Sequence, residues 1–242
     1  MTSSKLVLIA ISGCSSSGKT TLTKLTSNAI PRSSVLHEDD FYKPDAQIPL
    51  NEKYQIADWD CPEALDIPAF KRELDQIKET GLIKSKLIHN DNVDDITKFD
   101  ISPEDWDSLK RKYAIVQNSD LKIVLVDGFM IFNDEELTKK FDIKIFVRAP
   151  YEVLKKRRNA RAGYKTIDSY WVDPPYYFDE FVYKSYRNEH KYMFEDEDIE
   201  GQLKRNTGLF ELKNDDDINI SDALNAIADH IVETLNASSL LE

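Results

Sequence analysis

The run Gly13-Cys14-Ser15-Ser16-Ser17-Gly18-Lys19-Thr20 fits the phosphate-loop pattern G-x-x-x-x-G-K-[ST], and it constrains the fold more than any other stretch of the chain. Its glycines let the backbone curl until several N–H groups point inward at an anion. A helix starting just after the loop adds the positive end of its dipole. Both flanks suit the motif. Leu6 to Ile11 is a continuous apolar run, as in a strand buried on both faces of a parallel sheet. From Thr20 to Ala29, Leu22, Leu25 and Ala29 recur at helical spacing. A chance glycine–serine turn would need neither flank. The reading is a nucleoside triphosphate site built from Gly13 to Thr20, with Thr21 following in the helix. Lys19 neutralises the β and γ phosphates, and the Thr20 hydroxyl binds Mg²⁺.

Downstream, strands and helices alternate. Ser34 to Leu36 gives a short strand closed by the acidic turn Glu38-Asp39-Asp40, and a helix is expected from about Pro62 to Thr80, ended by Gly81. Residues 82–120 read as a polar insertion with one short helix over Pro103 to Tyr113. Ile123 to Gly128 is a second buried strand, Phe141 to Val147 a third candidate, and Tyr151 to Arg161 a strongly basic helix. Aromatics and prolines crowd Tyr170 to Tyr177, ahead of a long amphipathic helix expected from Phe178 to Met193. Glu195 to Glu200 reads as a solvated, mobile acidic run. Leu209 to Leu212 is a last strand, and Ser221 to Leu235 a closing helix with Ala223, Leu224, Ile227, Ala228, Ile231 and Leu235 on one face. The pattern predicts an α/β fold: one P-loop kinase domain over 1–242, with a parallel sheet flanked by helices. Residues 155–176 would form a mobile lid and substrate-facing segment.

Charge and cysteine usage narrow the partners. The 44 acidic residues outnumber the 32 basic ones, for a formal net charge of −12, against broad nucleic-acid binding. Cys14 and Cys61 are the only cysteines and show no zinc or disulfide spacing, so a reducing compartment is expected. The Leu6 to Ile11 run is far too short to span a bilayer. These features predict a soluble cytoplasmic protein, with access to the nucleus left open, that acts on small molecules without membrane or nucleic-acid partners.

Three further features carry chemistry. Asp127 closes the second buried strand, where a carboxylate can hold Mg²⁺ directly or through water, although an Asp-Gly pair also forms ordinary turns. Asp39 and Asp40 follow the short strand; in an extended segment they point to opposite sides, so one can face the γ phosphate and accept the proton of an attacking hydroxyl. Capping of a loop is the plainer alternative. Arg157, Arg158 and Arg161 share helix faces and could fold over the phosphates as a lid, whereas charge runs more often form a solvated face. No Asn-Lys-x-Asp sequence occurs, which favours ATP over GTP.

Taken together, the loop, His37-Glu38-Asp39-Asp40-Phe41-Tyr42-Lys43-Pro44, Trp59-Asp60, Asp127-Gly128-Phe129-Met130-Ile131-Phe132-Asn133, Lys156-Arg157-Arg158-x-x-Arg161 and the long string Trp171 to Tyr183 resemble the nicotinamide riboside kinases, the fungal members above all. The resemblance covers most of residues 5–190. It implies transfer of a phosphoryl group from ATP to the 5′-hydroxyl of nicotinamide riboside, with nicotinic acid riboside as a second substrate, feeding NAD synthesis. By this match Asp39 is the base, and Thr20 and Asp127 belong to the magnesium site, where animal members more often carry Glu for Asp127. Asp60 and Arg158 grip the ribose, and Trp59 stacks on the nicotinamide. Arg157 and Arg161 are lid arginines on the ATP side. Tyr164 corresponds to the opposite aromatic, across one extra residue, and Asp168 to a carboxylate near the base. The insertion within 82–120 is absent from shorter members. A flat cationic ring would gain from such aromatic faces and carboxylates. A uridine–cytidine kinase, another small-metabolite kinase and a non-catalytic nucleotide-binding module are the rival readings.

Overall fold

The computed structural model describes residues 5–84 and 99–238. Five strands, β1 (Leu6–Ser12), β2 (Ser34–His37), β3 (Lys122–Gly128), β4 (Ile143–Arg148) and β7 (Phe210–Lys213), form one parallel sheet in the order β2-β3-β1-β4-β7. The helices are α1 (Lys19–Ala29), α2 (Ile67–Thr80), α3 (Pro103–Lys112), α4 (Ala114–Gln117), α5 (Glu135–Thr138), α6 (Tyr151–Asn159), α7 (Lys184–His190) and α8 (Ile220–Ala237). A short antiparallel hairpin, β5 (Tyr164–Lys165) with β6 (Tyr170–Trp171), stands apart from the main sheet.

The alternation of side chains along a strand explains both faces. In β1, Val7, Ile9 and Ile11 join Leu22 and Leu25 of α1, Leu109 of α3 and the apolar stripe of α8. Leu8 and Ala10 point the other way, into a second core with Phe70, Leu74 and Ile77 of α2, Leu154 of α6, and Phe178, Phe181 and Tyr186. The expected buried strands and closing helix are therefore present, with ends shifted by a residue or two. Among the described residues, no helix is long and apolar enough to cross a membrane.

Four expectations need correction. The helix expected from Pro62 is a single 3-10 turn, Pro62–Ala64, followed by an extended Leu65 and then α2. The Asp66 carboxylate accepts the Ala69 N–H at 2.9 Å and caps α2, and Gly81 ends it at φ +68° as anticipated. The continuous helix expected over 178–193 is broken into a π-helical turn at Phe178–Tyr183, α7 and a 3-10 turn at Lys191–Met193. Asp39 lies in a 3-10 turn, Glu38–Phe41, rather than an extended segment. In the acidic run from Glu195 the carboxylates are exposed as expected, but the segment is tied down: Ile199 is buried, its carbonyl accepts from Arg148 Nη2 at 2.7 Å, and Lys191 pairs with Glu197 at 3.0 Å. In the insertion, α3 is capped by Ser102 and docks on α8 through Lys112–Asp229 at 2.6 Å, while residues 85–98 lie outside the described residues.

Candidate active site

The phosphate loop leaves β1 where the sheet's carboxyl edge meets α1. Gly13 is required because a Cβ there would sit 2.1 Å from the Val147 carbonyl oxygen of β4. Gly18, at φ +94°, faces Asn214 in the turn after β7, whose amide donates to the Ser17 carbonyl at 2.7 Å. A cavity of about 700 Å³ opens over the loop. Ser15, Ser16, Gly18, Lys19, Thr20 and Thr21 line it, whereas Gly13, Cys14 and Ser17 form the loop's inner side. Cys14 is buried, and that burial pushes its thiol up to about 12, so a helix N-terminus does not make it reactive.

Beneath the loop, the Thr20 hydroxyl donates to Asp127 Oδ2 at 2.5 Å, and His37 Nδ1 contacts the other Asp127 oxygen. The parallel register of β2 with β3 sets His37 beside Asp127. Burial works against a charged His37, but the Asp127 contact outweighs it and raises the imidazole above its ordinary range. Two hard oxygens from Thr20 and Asp127 suit a divalent cation that keeps waters and phosphate oxygens for its other positions. Among the described residues no cluster of three or more His, Cys, Asp or Glu forms a closed metal cage.

Asp39 faces the cavity from its 3-10 turn. Burial raises its carboxyl, the Lys19 charge opposes the rise, and Asp127 adds to it. Neighbouring Glu38 fixes this turn: its Oε2 accepts from the Phe129 and Met130 N–H groups at 2.8 and 2.9 Å, stapling the turn to the end of β3. Burial pushes the Glu38 carboxyl up to about 8.

The far wall brings together Trp59, Asp60, Arg158, Arg161 and Tyr164. Trp59 is held by its N–H, which donates to Tyr177 OH at 2.9 Å, and its ring meets Tyr42 edge-on at 5.7 Å. Arg158 is nearly buried and lies 3.6 Å from Asp60, donates to Ser15 Oγ at 2.7 Å, and covers the Tyr164 ring at 4.2 Å. Burial disfavours its charge, yet Asp60 and Asp173 outweigh that. Asp60, 4% exposed, is pushed up to about 6 by burial despite Arg158. Ser16 Oγ, Trp59 Nε1 and the Tyr164 hydroxyl are buried without a protein hydrogen-bond partner.

The sequence-predicted arginines separate. Arg157 is committed to the Asn214 carbonyl at 2.8 Å and Asp216 at 3.1 Å, and lines the same cavity as Ile218, Ile220 and Phe99. Arg161 lies over Tyr164 and within electrostatic reach of Asp39. Asp168 does not line the cavity; it is exposed at the hairpin tip, where its carboxylate accepts the Asp45 N–H at 3.3 Å. Sequence reasoning gave no role to Tyr42, Phe129, Trp171, Asp173 or Phe99. Asp173 takes Arg158 Nε at 2.6 Å and Trp171 Nε1 at 2.8 Å, and its only sequence signal was the unusual Trp171-Val172-Asp173-Pro174 string.

A five-stranded parallel sheet with β1 at its centre, a phosphate loop on β1 and a carboxylate beside it in one cleft define a P-loop kinase. No family model matches the chain. The curated protein "Nicotinamide riboside kinase" of Saccharomyces cerevisiae is 55% identical over 236 residues, 96% of this chain and 98% of that protein. The protein of the same name from Eremothecium gossypii is 46% identical over 93% of this chain and 92% of its own. "Nicotinamide riboside kinase 2" of Homo sapiens is 30% identical over 76% and 68%. The chain belongs to the nicotinamide riboside kinase family. Among solved structures, a thymidylate kinase from Candida albicans matches at a TM-score of 0.49 and 12% identity, over 100% of this chain and 96% of that one, too remote to bear on function.

Proposed function

We propose that the chain transfers the γ-phosphoryl group of ATP to the 5′-hydroxyl of nicotinamide riboside, with nicotinic acid riboside as a second acceptor, and so supplies the mononucleotide for NAD synthesis. The observation that carries this reading is the shared cavity: Lys19 and Thr20, Asp39, and the Trp59–Asp60–Tyr164 wall all open into it. In the transfer, the 5′-oxygen bonds to the γ phosphorus, the bond from that phosphorus to the β–γ bridging oxygen breaks, and ADP leaves. Asp39 accepts the hydroxyl proton; burial raises its carboxyl and makes its ionised form a stronger base than an exposed aspartate. Lys19 and Arg161 offset charge on the moving group. Mg²⁺, held through Thr20 and Asp127, would neutralise the β and γ phosphates when bound.

At the acceptor end, Asp60 and Arg158 receive the ribose hydroxyls, and Trp59 and Tyr164 present π faces to the cationic ring. Phe99, Ile218 and Ile220 form an apolar seat for the donor base beside Arg157.

An ADP-release assay with nicotinamide riboside, uridine or no acceptor tests the reading. Consumption of ATP is expected to depend on the riboside, and a strong preference for uridine, or equal turnover without acceptor, overturns it. Asp39→Ala should lower turnover at least about 100-fold with ATP affinity nearly intact. Turnover within a few fold of the parent would remove Asp39 as the base.

A further inference from the structure

The β5–β6 hairpin carries two rings of the acceptor wall, Tyr164 at its start and Trp171 at its end. Its tip closes on itself, since the Thr166 N–H donates to the Ser169 carbonyl at 3.0 Å and the Ser169 N–H to Thr166 Oγ1 at 2.8 Å. That tip then reaches across to a segment more than a hundred residues earlier. Thr166 Oγ1 and Ser169 Oγ both donate to Asp45 Oδ2, at 2.8 and 2.6 Å, and the Asp168 N–H donates to Asp45 Oδ1 at 3.3 Å. The Asp45 N–H returns a bond to the Asp168 carboxylate at 3.3 Å.

Asp45 makes a firm post. Its turn is closed by the Gln47 N–H donating to the Pro44 carbonyl at 2.7 Å, and Lys43 is pinned through its N–H to Ala64 and through Nζ to the Glu63 carbonyl at 2.9 and 2.7 Å. Slight burial works against the Asp45 charge, but the bonds from Ser169 and Thr166 outweigh it and hold the carboxyl below its ordinary range. At the hairpin's base, Gly163 adopts φ +150°, and a Cβ there would lie 2.5 Å from the Tyr170 ring and 2.6 Å from the Trp171 carbonyl oxygen. The hairpin therefore leaves α6 through a glycine-only corner and is fastened at its free end by one carboxylate.

We propose that Asp45 is a positioning residue for the acceptor, latching the hairpin tip across the mouth of the cleft so that Tyr164 and Trp171 are held against the bound riboside. The inference rests on the proposed riboside reading. Asp45 touches no reacting atom; it acts by removing the open positions of the hairpin that an acceptor would otherwise have to select against.

Two variants test the latch from its two sides, Asp45→Ala and the pair Thr166→Val with Ser169→Ala. Steady-state kinetics are measured with nicotinamide riboside and ATP, and amide hydrogen exchange is followed over residues 163–171 without substrate. Each variant should raise the riboside KM about five- to tenfold, the range expected for a few partly exposed hydrogen bonds. The turnover number and the ATP KM should stay within about twofold, and hairpin exchange should quicken. Combining all three substitutions should raise the riboside KM by far less than the product of the two separate effects, because the variants share the Thr166 and Ser169 bonds to Asp45. An unchanged riboside KM, unchanged exchange, or an equal rise in the ATP KM would overturn the proposal. Were the parent enzyme inactive on the riboside, the functional reading would fall, and hydrogen exchange would still decide whether the latch exists.

Discussion

Asp60→Asn separates the work of a substrate-binding carboxylate from that of a structural counterion. Asp60 is 4% exposed and lies 3.6 Å from Arg158, which keeps its bond to Asp173 at 2.6 Å whether or not Asp60 is charged. Burial lifts the Asp60 carboxyl from an ordinary 3.8 to about 6. A carboxyl raised in the folded state binds protons more tightly there than in the unfolded chain, so stability falls as pH rises through the interval from about 4 to 6. At 1.36 kcal/mol per unit, the ionised carboxylate costs the fold at most about 3 kcal/mol above pH 7. The asparagine removes that cost while remaining nearly isosteric. Urea unfolding at pH 7.5 should therefore show Asp60→Asn as stable as the parent or up to about 3 kcal/mol more stable, with the gap narrowing as pH falls from 6 towards 4. Catalysis should move the other way. Loss of charged hydrogen bonds to ribose hydroxyls, about 1.5–3 kcal/mol, lowers kcat/KM for the riboside about 10- to 150-fold. A variant destabilised at pH 7.5, with riboside kinetics unchanged, would show that Asp60 serves to neutralise Arg158 and would refute the reasoning.

Phe99→Ala should raise the ATP KM about 5- to 30-fold, for about 1–2 kcal/mol of lost contact with the base, and leave the riboside KM alone; a rise in the riboside KM instead would place Phe99 at the wrong end of the cleft. Gly128→Ala would set a Cβ 2.4–2.7 Å from the Glu38 side chain, forcing it off the Phe129 and Met130 N–H groups. The expected destabilisation is about 1–3 kcal/mol by thermal or urea unfolding, with turnover falling because Asp39 follows Glu38 in the chain, and parent-like values of both would show that the staple is dispensable.

The parts of the fold that could be read in advance are those where one physical demand acts on every residue of a segment. A strand buried on both faces must be apolar throughout, so Leu6 to Ile11 and Ile123 to Val126 declare themselves, and α8 shows its stripe because one face alone meets the core. The helix start near residue 62 was misread because two helix-start signals stand close together, Pro62-Glu63 and Asp66-Ile67-Pro68, and local chemistry does not rank them. A long-range contact does. Leu65 bridges Tyr42 and the Asp66 N–H donates to the Phe41 carbonyl at 2.8 Å, which draws residue 65 into an extended form and moves the helix start to Ile67. The break at Phe178–Tyr183 has the same character, an aromatic-rich turn shaped by packing of Phe178 and Phe181 into the core rather than by helix propensity.

The cleft divides along the same line. Lys19 and Thr20 were legible because backbone curvature and charge must occur together at fixed spacing, and Trp59, Asp60, Arg158 and Tyr164 because a long resemblance carried their order. Asp173 behind Arg158, Glu38 behind Asp39 and Asp45 behind the hairpin act on partners that are remote in sequence, with the exception of the adjacent Glu38–Asp39 pair, and through single polar contacts that impose no period on the chain. Such residues fix the position of neighbouring cleft groups without needing a motif of their own. The hairpin shows the consequence: Asp168 has an expected place near the base when aligned by order alone, yet the antiparallel pairing of Tyr164 with Trp171 leaves Thr166 and Ile167 on the cavity, sends Asp168 and Ser169 to Asp45, and makes Asp173 the carboxylate that holds Arg158 and Trp171.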